Sequence, residues 1–245
     1  MSTLSTAGRI APSEDARMPH TMRRRAFLRL GLAGVGGAAV GVLGACGAQS
    51  PRDARPDPAR NPRPAQAPVG GWILLAYFSR PGENYCNGGR RNLKVGNTEV
   101  LAQAISARLD CDVHRIEAVD PYPADYDETV ERNVREQDTN ARPAIANPLE
   151  SIDRYDTILL ASPIWNVRAP MIMSTFAERY DFAGKTVHPV TTYAMSGLGT
   201  IPEDYGRDCP GARIGTGLAV RGEQARSASA DVDAWLRRAG LLDGR

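Results

Sequence analysis

One stretch of the sequence, residues 71–109, most limits what the chain can fold into. It begins with an apolar run rich in strand-forming residues, Trp72 to Phe78, which stops at Ser79-Arg80-Pro81-Gly82. Such a run followed by turn-forming residues is typical of a buried β-strand that ends in a tight turn. Asn97 and Thr98 then open a helix, because apolar residues recur after them at three- and four-residue steps. These residues are Val100, Leu101, Ala104, Ile105 and Leu109.

Strand and helix signals alternate through the rest of the chain. Apolar or β-branched runs predict four further strands, at residues 111–117, 156–161, 186–193 and 212–220. Helical patterns follow them, at residues 127–138, 170–180, near 203 and at 227–239. Strands that alternate with helices form a parallel sheet that is covered on both faces. The expected fold class is therefore α/β, a three-layer α-β-α sandwich around a five-stranded parallel sheet.

A polar segment, residues 83–95, separates the first turn from the first helix. It contains the pair Asn87-Gly88, and Asn-Gly is a favoured two-residue turn between antiparallel strands. The sequence therefore predicts a β-hairpin inserted after the first strand. Which residues of this insertion reach the neighbouring loop stays open at this point.

The N-terminal residues 1–45 have the pattern of an export signal. The segment Arg24-Arg25-Ala26-Phe27-Leu28-Arg29 resembles a twin-arginine motif, and residues 30–45 are uncharged and rich in small apolar residues. Leu43-Gly44-Ala45-Cys46 resembles a bacterial lipobox, in which Cys46 would be lipidated and become the first residue of the mature chain. The alternative is an uncleaved anchor helix with an incidental cysteine.

These features divide the chain into three parts. Residues 1–45 are the expected export signal, and residues 46–70, with six prolines after position 50, are an extended tether. Residues 71–245 are the expected folded domain. The predicted location is the outer side of the cytoplasmic membrane, to which a lipid on Cys46 would tether the domain.

Charge and residue usage argue against several classes of function. The whole chain has a formal charge of +2, but residues 72–245 hold 20 basic and 24 acidic residues, a balance that argues against a nucleic-acid partner. His20, His114 and His188 have no partner at the spacing of a metal site, so no metal is expected. No nucleophile elbow or Cys–His pair stands out. Cys86 is the most reactive thiol candidate, although burial as a small apolar residue is the commoner role.

The first strand, its loop and the following helix together favour binding of an anion. The first amides of a helix have no acceptor within the helix, and the positive end of the helix dipole lies at the same place. Ser79 and Thr98 add hydroxyl donors, and the backbone around Asn97 adds N–H groups. This set suits a phosphate. The alternatives are that Ser79 is only a turn residue and that Asn97 is only an N-cap.

At this point the stretch from Trp72 to Leu241 resembles the flavodoxin-like superfamily, especially its bacterial branch with a longer first loop. The matching segments are Tyr77-Phe78-Ser79-Arg80-Pro81-Gly82, Leu93-Lys94-Val95-Gly96-Asn97-Thr98-Glu99, Ser162-Pro163-Ile164-Trp165, Ala169-Pro170-Met171 and Ser196-Gly197-Leu198-Gly199. The resemblance implies the strand order 2-1-3-4-5. It also implies FMN bound without covalent attachment, and transfer of one or two electrons.

The resemblance assigns cofactor contacts to loops that follow three strands. Trp165 could stack on the flavin ring, with core packing as the alternative. Ser196 and Gly197 could approach the pyrimidine edge, with a plain loop as the alternative, and Tyr193 is a candidate for a second aromatic face. Asn166 stands where many relatives carry a second Trp. The expected cofactor-binding residues are Ser79, Arg80, Asn97, Thr98, Pro163, Ile164, Trp165, Asn166, Ser196 and Gly197.

The leading hypothesis is an FMN-binding redox protein whose partner is a redox protein or a small quinone-like electron acceptor. Whether it is a carrier or an enzyme is open. A second hypothesis is an exported lipoprotein that keeps the fold but binds a non-flavin ligand or a partner without catalysis. A third, a hydrolase on the same scaffold, is disfavoured because histidines are scarce.

Overall fold

The computed structural model describes residues 72–242 of the 245-residue chain. The predicted export signal, the tether and Cys46 lie outside the described residues. The strands are β1 (Trp72–Tyr77), β2 (Gly82–Cys86), β3 (Gly89–Leu93), β4 (Asp112–Arg115), β5 (Tyr155–Pro163), β6 (Thr186–Tyr193), β7 (Arg213–Ile214) and β8 (Leu218–Arg221). The helices are α1 (Asn97–Ser106), α2 (Tyr126–Asp138), α3 (Met171–Arg179), α4 (Ile201–Asp208) and α5 (Ser229–Arg238), with a 3-10 helix at Gly222–Ser227. Within the described range, no helix is long and apolar enough to cross a membrane.

The main sheet is parallel and has the order β4-β1-β5-β6, with β7 and β8 both pairing with the outer edge of β6. This confirms the predicted order 2-1-3-4-5, if β7 and β8 together count as the fifth strand. The break between them depends on contacts with two other elements, β6 and α5. Gly215 lies against the ring of His188, and the Thr216 carbonyl accepts a hydrogen bond from Trp235 Nε1 (2.9 Å) instead of pairing in the sheet.

Two apolar layers cover the sheet, as the sandwich prediction requires. Neighbouring residues of β5 point to opposite faces: Leu160 packs on one side with Phe176 of α3, and Leu159 packs on the other with Leu101 of α1 and Trp235 of α5. All five side chains are fully buried. A strand that is covered on both faces must be apolar throughout, which is why β5 reads as a continuous apolar run.

The inserted segment is the predicted hairpin. Strands β2 and β3 pair antiparallel, and the turn residues Asn87 and Gly88 have φ angles of 51° and 82°, as an Asn-Gly turn requires. At the base of the hairpin, Gly82 has a φ of 91°, and a Cβ there would lie 2.6 Å from the Ala124 carbonyl oxygen. The close approach of Gly82 to Ala124 therefore seats the hairpin on the segment before α2.

We expect Gly82→Ala to lower the free energy of unfolding by roughly 2–4 kcal/mol, because it adds a backbone clash to the cost of a positive φ. Gly88→Ala is the matched control, since Gly88 also has a positive φ but open space around its Cα. The control should cost only about 1 kcal/mol. Urea denaturation of both variants measures the difference, and equal losses would contradict the role given to the Ala124 contact.

Candidate functional site

The β1–α1 connection closes tightly around Gly96, which is the N-cap of α1. The first hydrogen bond of the helix runs from the Val100 amide to the Gly96 carbonyl (3.2 Å), so the earlier amides have no acceptor within the helix. Ser79 Oγ accepts from one of them, the amide of Glu99 (3.1 Å). A Cβ on Gly96 would meet Ser79 Oγ and would lie 2.6 Å from the Arg80 carbonyl oxygen. Glycine is therefore needed for the loop and the helix N-terminus to meet.

A pair of buried hydroxyls joins α1 to the end of β6. Thr98 Oγ1 and Thr192 Oγ1 lie 2.7 Å apart, and both residues are buried. Because either hydroxyl can donate to the other, one of the two retains a proton that it can donate elsewhere. The side chain of Asn97, one position earlier, packs against Gly222 at the start of the 3-10 helix. The helix N-terminus is thus fixed from two sides.

These groups line one cleft at the carboxyl ends of β1, β5, β6 and β8. Seven of the ten predicted residues line it: Ser79, Arg80, Asn97, Thr98, Pro163, Ile164 and Trp165. The cleft encloses about 110 Å³ and continues into a surface depression of about 390 Å³ with which it shares Tyr85 and Ala194. Among the described residues, no Asp or Glu lines the cleft. The site therefore has hydrogen-bond donors and a positive helix end without a competing carboxylate.

Arg80 has a structural role that could not be predicted from the sequence: its guanidinium joins the loop after β1 to the hairpin and to the segment before α2. Its Nη1 donates to the carbonyls of Pro123 (2.8 Å) and Ala124 (3.1 Å), and its Nη2 donates to the carbonyl of Glu83. Burial lowers the pKa of the guanidinium, and the carboxylates of Asp125 and Glu83 oppose that shift. The buried Arg80 Nε has no acceptor among the described residues. It is a donor without a partner in a side chain that lines the cleft.

Trp165 both packs against the core and lines the cleft. Its ring packs edge-to-face against Phe78 and Tyr122, with ring centroids 5.8 Å and 5.2 Å away, so its orientation is held by the core. It also lines the cleft and is only partly buried. Its position is fixed by a tight turn in which Trp165 and Arg168 exchange backbone hydrogen bonds.

Three predicted residues do not line the cleft. Asn166, with a φ of 48°, is exposed in the tight turn, and its Nδ2 donates to Gln137 Oε1 (3.2 Å). Ser196 is exposed, and the Gly197 carbonyl accepts from Thr191 Oγ1 (3.0 Å), which folds this loop back on β6. The loop after β6 still reaches the cleft, but through Tyr193 and Ala194.

The structure adds lining residues from elements that the sequence analysis could not orient. They are Asn84 and Tyr85 of the hairpin, Tyr126 at the start of α2, Thr192 at the end of β6 and Gly222. Tyr85 is 39% exposed and stands where the cleft meets the outer depression. Of these residues, only Thr192 could have been found from the sequence, because it is a polar residue at the end of a buried strand.

Metal ligands and thiols are the remaining candidates for chemistry in the described part of the chain. No group of His, Cys, Asp and Glu residues there could hold a metal ion. Burial raises the pKa of Cys111 to about 11 and that of Cys209 to about 12, so both thiols are protonated at neutral pH. Cys86 is a free, half-buried thiol on β2.

Comparison with known proteins gives consistent matches. A family model described as flavodoxin matches residues 92–239. The chain is similar to a candidate flavoprotein from Bacteroides uniformis ATCC 8492 (30% identity, 69% of this chain and 99% of that chain, TM-score 0.55). It is also similar to a candidate flavoprotein from Bacteroides eggerthii DSM 20697 (27% identity, 70% of this chain and 99% of that chain, TM-score 0.56).

A flavoprotein from Lactobacillus acidophilus NCFM, solved in complex with FMN, is 20% identical over 67% of this chain and 98% of that chain, with a TM-score of 0.49. Among curated proteins, none matches the chain.

We expect Arg80→Lys to lower the free energy of unfolding by about 3 kcal/mol, because a lysine cannot reach three carbonyls with a planar fork and so loses charge-assisted hydrogen bonds. Arg91→Lys is the control, since Arg91 is exposed on the same hairpin and should change stability by less than about 0.5 kcal/mol. Chemical denaturation measures both. A stability of Arg80→Lys equal to that of the control would contradict the structural role.

Proposed function

Because the chain belongs to the flavodoxin family, we propose that it is a redox protein that binds FMN without covalent attachment in the cleft lined by Ser79, Thr98 and Trp165. Membership of the family implies FMN as the cofactor. The observation that carries the proposal is the meeting of a helix N-terminus, buried hydroxyls and a held aromatic ring in one cleft without a carboxylate.

The donor set of the cleft fits a phosphate ester. The amides of Asn97 and Thr98 precede the first helical hydrogen bond, and Ser79 Oγ can still donate its own proton while it accepts from the Glu99 amide. Arg80, whose buried Nε has no partner among the described residues, also lines the cleft and adds positive charge there. These groups would hold the phosphate of FMN.

The aromatic residues would hold the ring. Trp165 is fixed by its contacts with Phe78 and Tyr122, so it offers a preorganised surface at little entropic cost. When bound, FMN would supply transfer of one or two electrons. An electron-rich indole against the ring disfavours added negative charge, so Trp165 would lower the reduction potential.

The partner would be a redox protein or a small quinone-like electron acceptor. The arginine pair at Arg24-Arg25 and the lipobox that ends at Cys46 support a domain exported in the folded state and tethered by a lipid outside the cytoplasmic membrane. Export after folding suits a protein that must take up a soluble cofactor before it leaves the cytoplasm.

One observation favours a second candidate, a tethered binding protein that lacks the cofactor. The cleft itself encloses about 110 Å³, less than the roughly 300–1,000 Å³ of most small-molecule sites. Such a protein would use the outer depression for a non-flavin ligand. Titration of the purified protein with FMN separates the two candidates, since only the first predicts saturable quenching of flavin fluorescence.

We expect Thr98→Val to raise the Kd for FMN roughly tenfold, because it removes a hydroxyl donor while keeping the side-chain shape, and hydrogen bonds to charged groups are worth about 1.5–3 kcal/mol. Thr175→Val is the matched control, because Thr175 Oγ1 bonds only within α3 (3.4 Å to the Met171 carbonyl). Fluorescence titration gives both constants. A folded wild-type protein that ignores added FMN would refute the proposal.

We expect Tyr85→Ala to raise the Kd for FMN about fivefold and Tyr85→Phe to leave it nearly unchanged, because the hairpin supplies an aromatic face rather than a hydroxyl. Arg91→Ala is the control on the same hairpin, since Arg91 lines no part of the cleft. The same titration measures all three variants. Equal constants for Tyr85→Ala and Arg91→Ala would show that the hairpin wall is not part of the site.

A further inference from the structure

A second groove adjoins the cleft on the side of α2. It encloses about 360 Å³, a volume within the range of small-molecule pockets. It is continuous with the cleft through five shared side chains: Arg80, Asn84, Tyr126, Ile164 and Trp165. Trp165 therefore forms part of the wall of both spaces, and a molecule in the groove would lie next to whatever the cleft holds.

Helix α2 exposes its apolar residues and buries polar ones, the reverse of an ordinary surface helix. Val130 and Val134 are its only aliphatic residues, and each is 42% exposed, while Thr129 and Asn133 are only 4% exposed. A surface helix normally turns its apolar stripe toward the core. Here the apolar pair lines the groove instead. Apolar side chains that the core does not use, in a concave surface, indicate an apolar ligand.

The polar groups of the groove limit the chemistry of that ligand. Arg80 is its only charged lining residue in the described part of the chain, and its Nη groups are taken up by backbone carbonyls. Asn133 Oδ1 accepts from Gln137 Nε2 (3.2 Å), and Asn133 Nδ2 donates to none of the described residues. The groove thus combines aliphatic and aromatic walls with an amide donor, which suits a neutral ring that carries a carbonyl oxygen.

We propose that the groove between α2 and Trp165 binds the small electron acceptor, a neutral planar ring compound with carbonyl oxygens, as in the quinone class. The inference rests on the proposed function, because an acceptor is useful only beside a bound flavin. It goes further by giving the acceptor its own site, which Val130 and Val134 form and which the cofactor does not occupy.

The test is a calorimetric titration of the FMN-loaded full-length protein with 1,4-naphthoquinone. Val130→Asp and Val134→Asp should each weaken naphthoquinone binding about tenfold, because a carboxylate in the apolar wall is desolvated by the ring. Val113→Asp is the matched control: Val113 is 50% exposed on the edge strand β4 and lines no part of the groove. All three positions are exposed, so the variants should fold, and circular dichroism confirms that they do.

The Kd for FMN is measured on the same variants, and it should be unchanged in all three. If Val130→Asp weakens FMN binding as much as naphthoquinone binding, the groove belongs to the cofactor and the inference is wrong. A wild-type protein that binds FMN but not naphthoquinone, or that binds naphthoquinone equally in Val130→Asp and Val113→Asp, also overturns it while leaving the proposed function intact. A wild-type protein that binds no FMN overturns both.

Naphthalene provides a second measurement, because it has the same flat shape without carbonyl oxygens. It should bind about fivefold more weakly than 1,4-naphthoquinone, since it cannot accept a hydrogen bond from Asn133. Equal affinity for the two probes would contradict the assignment of a carbonyl-bearing ligand.

Discussion

The guanidinium of Arg80 is the interaction on which the architecture of the site depends. It lies buried where three segments meet: the loop after β1, the first strand of the hairpin and the backbone before α2. Without it, the carbonyls of Pro123, Ala124 and Glu83 would lose a shared charged donor, and the hairpin would lose a contact that joins it to the segment before α2. The cleft and the groove both have Arg80 in their walls, so the same contact fixes both.

A second set of contacts joins the hairpin to the start of α2. Arg90 forms a bidentate pair with Asp127 (2.6 Å and 2.8 Å) and lies over the ring of Tyr126, and the Glu83 carboxylate accepts from the Tyr126 amide. The Arg90 pair is exposed, so it adds orientation more than stability. The hairpin is therefore held by the Arg80 hydrogen bonds near Gly82 and by an exposed ion pair nearer its turn.

Much of the fold could be predicted from the sequence, because the physics that sets it is local. The apolar runs of β1, β5 and β6 and the helical spacing in α1 gave the elements close to their observed bounds. The break between β7 and β8 could not be predicted, because it depends on His188 and Trp235, which are distant in sequence.

The lining of the cleft followed the same division. The places of Ser79, Thr98 and Trp165 in that lining could be predicted because each lies close to a strand end or a helix start. Tyr85 and Tyr126 were missed because their positions depend on how the hairpin folds over α2, which no short-range pattern encodes. Ser196 and Gly197 do not line the cleft, and the residues after them contact the turn at Val167, whose carbonyl accepts from the Thr200 amide (2.9 Å). The prediction that they contact the cofactor remains a prediction.

The hydroxyl of Ser79 has one more consequence. It already accepts from the Glu99 amide, and it still has its own proton to donate to another group. A polar pocket arranged this way during folding changes little when an anion enters, so association should be fast and should leave the backbone of α1 unmoved. In the proposed site, the hydroxyl that caps the first turn of α1 would therefore also donate to the ligand.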